Sequence, residues 1–372
     1  MSFLLCAPSV FVIGKTYEIL LNAKENGILH VEIAGEQYFE ENAGVLATER
    51  AYARVRVPQA ALDKAKKYTV VFRKTVCHNA YFSEMGEKET EIFSFKPIDK
   101  EEDIHIYHLA DVHSAFDLAK EAASYFEEKT DLFIMNGDIA EVEKHEDFLF
   151  VAKWLAEVAR GEIPIVFVRG NHDTRGRLSH FYTEFFPCNG KDTFFTFTVG
   201  PIFGVALDLG EDKPDDYHYD ATYDFKSAYC GINRFSPFRE RELIWLRAIE
   251  KSNQPYRIAV SHICPMQTSQ CAGSDFDIER EIYGGFSKEL SRLDMQLMLC
   301  GHIHKAYVMH PNDGQSLLPH SFPIVIGSSV SYEKNRAISL GGLAMTLTRE
   351  NARVQFTNEK KEITFDEKIS LQ

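Results

Sequence analysis

The sequence predicts a mixed α/β protein: a layered domain of two sheets with outer helices, preceded by a small all-β sandwich of the immunoglobulin or fibronectin III kind. Two observations carry this. The first hundred residues hold short β-branched and aromatic runs, separated by polar or glycine-containing loops, with no helices between them. After the charged, proline-containing stretch KPIDKEED (96–103), apolar strand patterns alternate with helical ones. A β-sandwich over 1–98 and a second domain over 99–372 follow from that change of rhythm.

In the first part YEILL, ILHVEI, YARVRV, KYTVVFRK and EIFSF are the expected strands, with clear alternation in YARVRV. In the second, DIHIYHLA leads into a helix starting near Ala115, where Phe116, Ala119, Ala123 and Phe126 recur at helical spacing. DLFIMNGD precedes a helix over about 145–160, carrying Phe148, Val151, Leu155 and Val158 and stopped by Gly161. IPIVFVRG is a wholly apolar strand. TFFTFTVGPIFGVALDL (193–209) reads as two antiparallel strands about Gly200 and Pro201. A helix with Leu243, Leu246 and Ile249 follows, then YRIAVSH and MQLMLCGH as buried strands. FPIVIGSS, GGLAMTLT and ARVQFTN close the chain as strands.

The balance of 41 basic to 55 acidic residues, a net charge of -14, argues against a broad nucleic-acid or anionic-membrane surface. A small anionic substrate is still compatible, because bound cations reverse a local field. No apolar stretch reaches the roughly 18 residues a membrane span needs. The apolar start MSFLLCAPSVFVIGKTYEILL lacks a basic n-region and reads as a strand rather than a signal peptide. Seven scattered cysteines with no CxxC pair fit free thiols in a reducing compartment, which points to the cytoplasm.

The residues that follow the apolar strands carry the chemistry. They are Asp111 and His113 in ADVH, Asp138 in NGD, and Asn171, His172 and Asp173 in GNHD; His262 in SHIC and His302 with His304 in GHIH complete the series. Taken singly, each has a plain structural explanation. Asp-x-His, NGD and GNHD are all good turn formers, and a histidine after Val-Ser is an ordinary hydrogen-bonded core residue. In GHIH, alternation along an extended chain points both imidazoles to the same side. Together, five strand ends offer oxygen or imidazole nitrogen, in a layered architecture that gathers ligands at such ends. Burying that many ionisable groups without a cation would be costly. The mixed oxygen and nitrogen set suits Mn, Fe or Zn and suits Ca poorly.

The order DVH…GD…GNHD…SH…GHIH resembles that of the calcineurin-like metallophosphoesterases, over about residues 103–345. The resemblance implies a four-layer αββα sandwich and two divalent or mixed-valence metal ions. It also implies hydrolysis of phosphomonoesters or phosphodiesters by a hydroxide bridging them. It assigns Asp111, His113, Asp138 and His304 to one ion and Asp138, Asn171, His262 and His302 to the other, with Asp138 shared. His172 is then left to protonate the leaving oxygen or steady the phosphoryl group. Glu141 or Asp173 would orient that imidazole. Arg175 either meets phosphate oxygens or is a solvated surface arginine. The preceding β-sandwich is similar to the N-terminal domain of purple acid phosphatases. That branch carries a tyrosine ligand where this sequence has Glu141, and it lacks the ligand that His113 supplies; no purple Fe(III)–tyrosinate chromophore is expected. LDLGEDKPD (207–215) resembles a stretch in bacterial relatives of that branch, without a deduced role.

A small phosphorylated substrate is therefore the expected partner, without nucleic acid or membrane. Two alternatives stand beside it. A nuclease is disfavoured by the net charge of -14 and the lack of any clustered basic run. A non-catalytic scaffold would be expected to lack ligands, and all seven are present, as is His172. DDYHYDATYDF (215–225) suggests a lid near the site, and Tyr81 and Phe82 belong either to the core or to the cleft. Substrate, choice of metal and oligomeric state are left open.

Overall fold

The computed structural model describes residues 2–217, 231–334 and 336–371. Its first part contains β1 (Ser9–Ile13), β2 (Thr16–Asn22), β3 (Gly27–Ile33), β4 (Glu36–Phe39), β5 (Tyr52–Pro58), α1 (Gln59–Ala65), β6 (Lys67–His78) and β7 (Ser83–Ser94). The second begins with β8 (Ile104–Leu109), α2 (Phe116–Ala123), β9 (Leu132–Asn136), α3 (His145–Ala159), β10 (Ile165–Val168) and α4 (Tyr182–Phe185). It continues through β11 (Phe195–Val199), β12 (Ile202–Leu207), α5 (Phe235–Ala248), β13 (Tyr256–Ser261), α6 (Arg280–Arg292) and β14 (Leu297–Cys300). β15 (Tyr307–Met309), β16 (Ile324–Ile326), β17 (Ser329–Glu333), β18 (Arg336–Leu347), β19 (Asn351–Asn358) and β20 (Ile363–Ser370) complete it.

Two sheets face each other, one running β20-β19-β18-β8-β9-β10-β1-β2-β5 with β17 beside β18, the other β11-β12-β13-β14-β16-β15. The period-two alternation of the strands builds the layers. Ile106, Ile134 and Val166 meet Phe197, Ile258 and Leu297 between the sheets. The alternate residues Tyr107, Phe133 and Phe167 pack outward on Ala119 of α2 and Phe148, Val151 and Leu155 of α3. On the opposite side Val205, Ala259 and Met298 meet Leu243 and Leu246 of α5 and Tyr283, Phe286 and Leu290 of α6. The result is helix, sheet, sheet, helix.

The N-terminal part is β-rich and joined to this sandwich through main-chain hydrogen bonds. β4-β3-β6-β7 form a sheet of their own, but β1, β2 and β5 extend the larger one, because β1 lies parallel to β10 with Phe11 opposite Ile165. Val10, Val12, Leu21 and Val55 share one core with Leu29, Val31, Val70 and Phe72. Two β layers face each other in this region, and the larger sheet runs on past residue 98. The stretch expected to be helix-free contains α1, whose sequence QAALDKA is built of good helix formers and buries Leu62.

Other departures have local causes. The α3 helix stops at Ala159 because Arg160 adopts the left-handed conformation (φ 55) just before Gly161. α6 has no counterpart among the expected elements, and it carries a Gly284-Gly285 pair of low helix propensity. At Gly285 an added Cβ would lie 2.5 Å from Leu243 Cδ2, so the glycine permits close packing on α5. Tyr81 and Phe82 do not belong to the core. They stand 88% and 80% exposed at the tip of the β6–β7 hairpin. Most of the expected lid, 218–225, lies outside the described residues. Among the described residues no helix is long and apolar enough to cross a membrane.

Candidate metal centre

Five strand ends converge on one place, three from the larger sheet (β8, β9, β10) and two from the smaller (β13, β14). Asp111, Asp138, Asn171 and His262 are buried, while His113, His302 and His304 are partly exposed. The backbone is strained there: Asp111, His113, Asp138, His302 and His304 all have positive φ, between 45 and 71. Non-glycine residues hold this conformation only where surrounding structure enforces it, and such positions concentrate at functional sites. The motif glycines allow the loops to close. An added Cβ on Gly170 would lie 2.3 Å from Asp138 Oδ1, and one on Gly137 would lie 2.6 Å from the Gly170 Cα.

Asp111, His113, Asp138 and His304 bring one potential ligand atom each within 4.8 Å of one another. His113 Nε2 and His304 Nε2 are 3.1 Å apart, and His304 Nε2 is 3.2 Å from Asp111 Oδ1. Within the second expected set two pairs are in contact. His262 Nε2 lies 3.2 Å from Asp138 Oδ2, and Asn171 Oδ1 lies 3.0 Å from His302 Nδ1. Outer contacts fix these rings. The His262 Nδ1–H donates to the Asn136 carbonyl at 2.7 Å, and His302 Nε2 faces Asp212 Oδ2 at 3.5 Å. Partners of this kind set the tautomer of a ligating histidine.

The donor set fits a cation. With Nδ1 donating to Asn136, His262 presents Nε2 to two buried carboxylates. A ring nitrogen aimed at two anions calls for positive charge between them, as a proton on Nε2 or as a cation that replaces it. The titration directions agree. Burial alone would depress His262, but Asp138 and Asp111 lift it to about 10. Burial would raise both carboxyls, and His262 instead holds Asp111 and Asp138 below their usual range. His302 is pushed down to about 4 by burial and by neighbouring His262.

His172 sits at the rim, its ring 4.7 Å from that of His113 and nearly perpendicular to it. Its backbone N–H donates to Asp138 Oδ1 at 2.8 Å. Of the two carboxylates considered for orienting it, Glu141 is in place, with Oε1 2.8 Å from His172 Nδ1, and this contact holds Glu141 below its ordinary value. Asp173 has other work. Buried under the loops, it accepts the backbone N–H groups of Asp138 and Gly170 at 2.8 Å and of Ile139 at 3.3 Å, tying the GD and GNHD turns together. Arg175 is not a solvated surface arginine. Its guanidinium grips buried Glu211 through Nε (2.7 Å) and Nη2 (2.8 Å), while Nη1 donates to His172 Nε2 at 2.9 Å.

Several contributors escaped the sequence reading. Glu211 and Asp212 lie in LDLGEDKPD, the stretch without a deduced role, and its acidic pair was the available signal. Ser328, after β16, donates to Asp111 Oδ2, and buried Asn136 donates to the Ser261 and Leu299 carbonyls, linking the two sheets beneath the cluster. A serine in GSS and an asparagine in NGD carry no sequence signal of their own.

The family model of the calcineurin-like phosphoesterases matches residues 104–306, more than half of the chain. No curated protein matches it. Among solved structures, the purple acid phosphatase PPD1 isolated from yellow lupin (Lupinus luteus) seeds is similar with a TM-score of 0.59 at 11% identity, covering 98% of this chain and 74% of that one. PhoD is similar with a TM-score of 0.55 at 11% identity, covering 99% and 89%. At such identity the likeness is one of fold, and it includes the N-terminal β region.

Proposed function

The chain belongs to the calcineurin-like phosphoesterase family, and on that footing we propose that it is a dinuclear metal-dependent hydrolase of phosphomonoesters or phosphodiesters. One observation carries the reading: His262 Nε2 points between two buried carboxylates, 3.2 Å from Asp138 and 3.7 Å from Asp111, at the meeting of five strand ends. Asp111, His113, Asp138 and His304 would hold one ion and Asp138, Asn171, His262 and His302 the other, with Asp138 shared. When bound, two such ions supply Lewis acidity, making water a nucleophile near neutral pH and neutralising the phosphoryl oxygens.

The chain's own residues do the rest. Glu141 accepts the Nδ1–H of His172; Nε2, which here accepts from Arg175 Nη1, would exchange a proton with the leaving oxygen once that contact opens. Arg175, anchored by Glu211, acts as a positioning residue, steering the His172 ring through Nη1. Asp173 holds the two turns at the spacing the ligands need. Oxygen and imidazole ligands favour Mn, Fe or Zn, and Glu141 in the tyrosine position predicts no purple Fe(III)–tyrosinate chromophore. The same reading keeps 1–98 as a β unit buttressing the catalytic 99–372, through the β1·β10 pairing.

The test is hydrolysis of p-nitrophenyl and bis-p-nitrophenyl phosphate after loading with Mn(II), Fe(II) or Zn(II). Turnover that disappears on chelation and returns with metal supports the proposal. No turnover of either ester with any of the three metals removes it.

A further inference from the structure

Arg239 of α5 is fully buried, at 0% exposure, and takes no part in the chemistry above. A guanidinium cannot shed its charge, so burying one is costly unless its N–H groups find partners. Here they go to one loop and one helix start. Nε donates to the Leu209 carbonyl at 2.7 Å, Nη2 donates to the Glu211 carbonyl, and Nη1 donates to Glu279 Oε2 at 3.0 Å, just before α6. Packing alone would be met by an apolar side chain of similar volume.

The same face of α5 holds the rest of LDLGEDKPD. Glu242, three residues on, accepts the Asp208 N–H at 2.7 Å. Four residues back, the Phe235 ring sits so close to Gly210 (φ 65) that an added Cβ would lie 2.1 Å from its Cδ1. Asp215 closes the stretch by accepting the Phe235 N–H at 2.7 Å and the Ser236 N–H at 3.1 Å, in the first turn of the helix. Spacings of four and three put 235, 239 and 242 on one side of α5. Arg239 grips the middle of the loop they clamp.

That loop carries Glu211, whose buried carboxylate holds the residues just after His172. It accepts from the Thr174 hydroxyl at 3.1 Å and from Arg175 through Nε (2.7 Å) and Nη2 (2.8 Å). Arg175 Nη1 in turn donates to His172 Nε2 at 2.9 Å. Contacts therefore run without a break from Arg239 through Glu211 and Arg175 to the rim of the cluster.

We infer that Arg239 is a positioning residue for His172, setting the place of that imidazole from α5 through Glu211 and Arg175. It acts on the reaction without touching the phosphoester. Displacement of a reacting group by about 1 Å can cost on the order of 10²-fold in rate, so a distant anchor has leverage. The inference rests on reading the cluster as a phosphoesterase centre with His172 as its acid.

This role has a signature that a merely structural one lacks. A general acid matters most where the leaving oxygen is basic. A displaced His172 therefore harms phenyl phosphate more than 2,4-dinitrophenyl phosphate, whose leaving group departs without a proton. The test compares Arg239→Gln with wild type on these two esters, as Mn-loaded full chains. The kcat is expected to fall about tenfold on phenyl phosphate and less than about threefold on 2,4-dinitrophenyl phosphate, with metal content by mass spectrometry unchanged. Glu211→Gln should show the same contrast, and the double variant should be no worse than Glu211→Gln alone, because both act along one chain of contacts. Equal losses on the two esters, no loss on either, a loss explained by lowered metal content, or losses that multiply in the double variant overturn the assignment. If circular dichroism shows that Arg239→Gln does not fold, Asp215→Asn decides, since it loosens the same loop at the start of α5. It should give the same contrast at smaller size, and equal or absent losses overturn the inference. A wild-type protein that hydrolyses neither ester removes the phosphoesterase reading and this inference together. Turnover without the contrast removes this inference alone.

Discussion

Loading chelator-treated protein with Mn(II) or Zn(II) at pH 7 should expel a proton from His262. Its Nδ1–H is committed to the Asn136 carbonyl, and its Nε2 lies 3.2 Å from Asp138 and 3.7 Å from Asp111. Against the burial that would lower it, those carboxylates lift its pKa to about 10. Raised well above the working pH by those carboxylates, the ring is held as imidazolium in the chelated protein. A cation that takes the Nε2 lone pair must therefore release close to one proton. His302, held at about 4 chiefly by burial, contributes none, and burial likewise lowers His113. His304, raised by its contact with Asp111, adds a fraction for the other ion. Apparent affinity for the ion at His262 should rise about tenfold per pH unit and level off near pH 10. The same raised value has a stability consequence in the chelated protein. Its contribution is fully present below the ordinary 6.5 and is lost as pH rises through about 10. Calorimetric titration in buffers of different ionisation enthalpy, HEPES and Tris for example, counts the protons, and His262→Gln should remove about one of them. Release well under half a proton per ion pair at pH 7, or the same release in His262→Gln, refutes the reasoning.

Other consequences separate the roles around the cluster. His172→Ala should lower kcat on the order of 10²-fold or more with unchanged metal content by mass spectrometry. Glu141→Gln should cost less, about tenfold or below, because that carboxylate is 53% exposed and its pairing is screened. Asp173→Asn replaces a carboxylate that serves three backbone N–H groups. It should lower the denaturant midpoint by the equivalent of about 1–3 kcal/mol, read in chelated protein so that metal binding does not mask it. Gly170→Ala would put a methyl group 2.3 Å from Asp138 Oδ1. It should weaken metal retention during dialysis, since Asp138 must shift to make room.

The layers were legible because strand periodicity is strong in segments such as DIHIYHLA and DLFIMNGD, where alternate residues enter different cores. The candidate ligands were legible because each follows such a strand. Main-chain pairing between distant segments was not: nothing in SVFVI says that it will lie against IVFV and fuse the N-terminal strands to the larger sheet. Helix α6, with no counterpart among the expected elements, carries two glycines of low helix propensity, and Gly285 packs on Leu243. The division of labour between Glu141 and Asp173 depends on which carboxylate the turn buries, and adjacency in sequence favoured neither. Glu211 shows the same limit from the other side. An acidic loop residue becomes a buried anchor only once Arg175 is brought to it across the site.

The dinuclear centre stands or falls on metal stoichiometry. Mass spectrometry of Mn-loaded, desalted wild-type protein and Asp138→Asn, each assayed alongside on p-nitrophenyl phosphate, measures it directly. The shared carboxylate predicts two ions per wild-type chain with turnover, and one or fewer in the variant with turnover lost. A wild-type chain that hydrolyses the ester with a single ion, or an Asp138→Asn protein that keeps two ions and full activity, would contradict it.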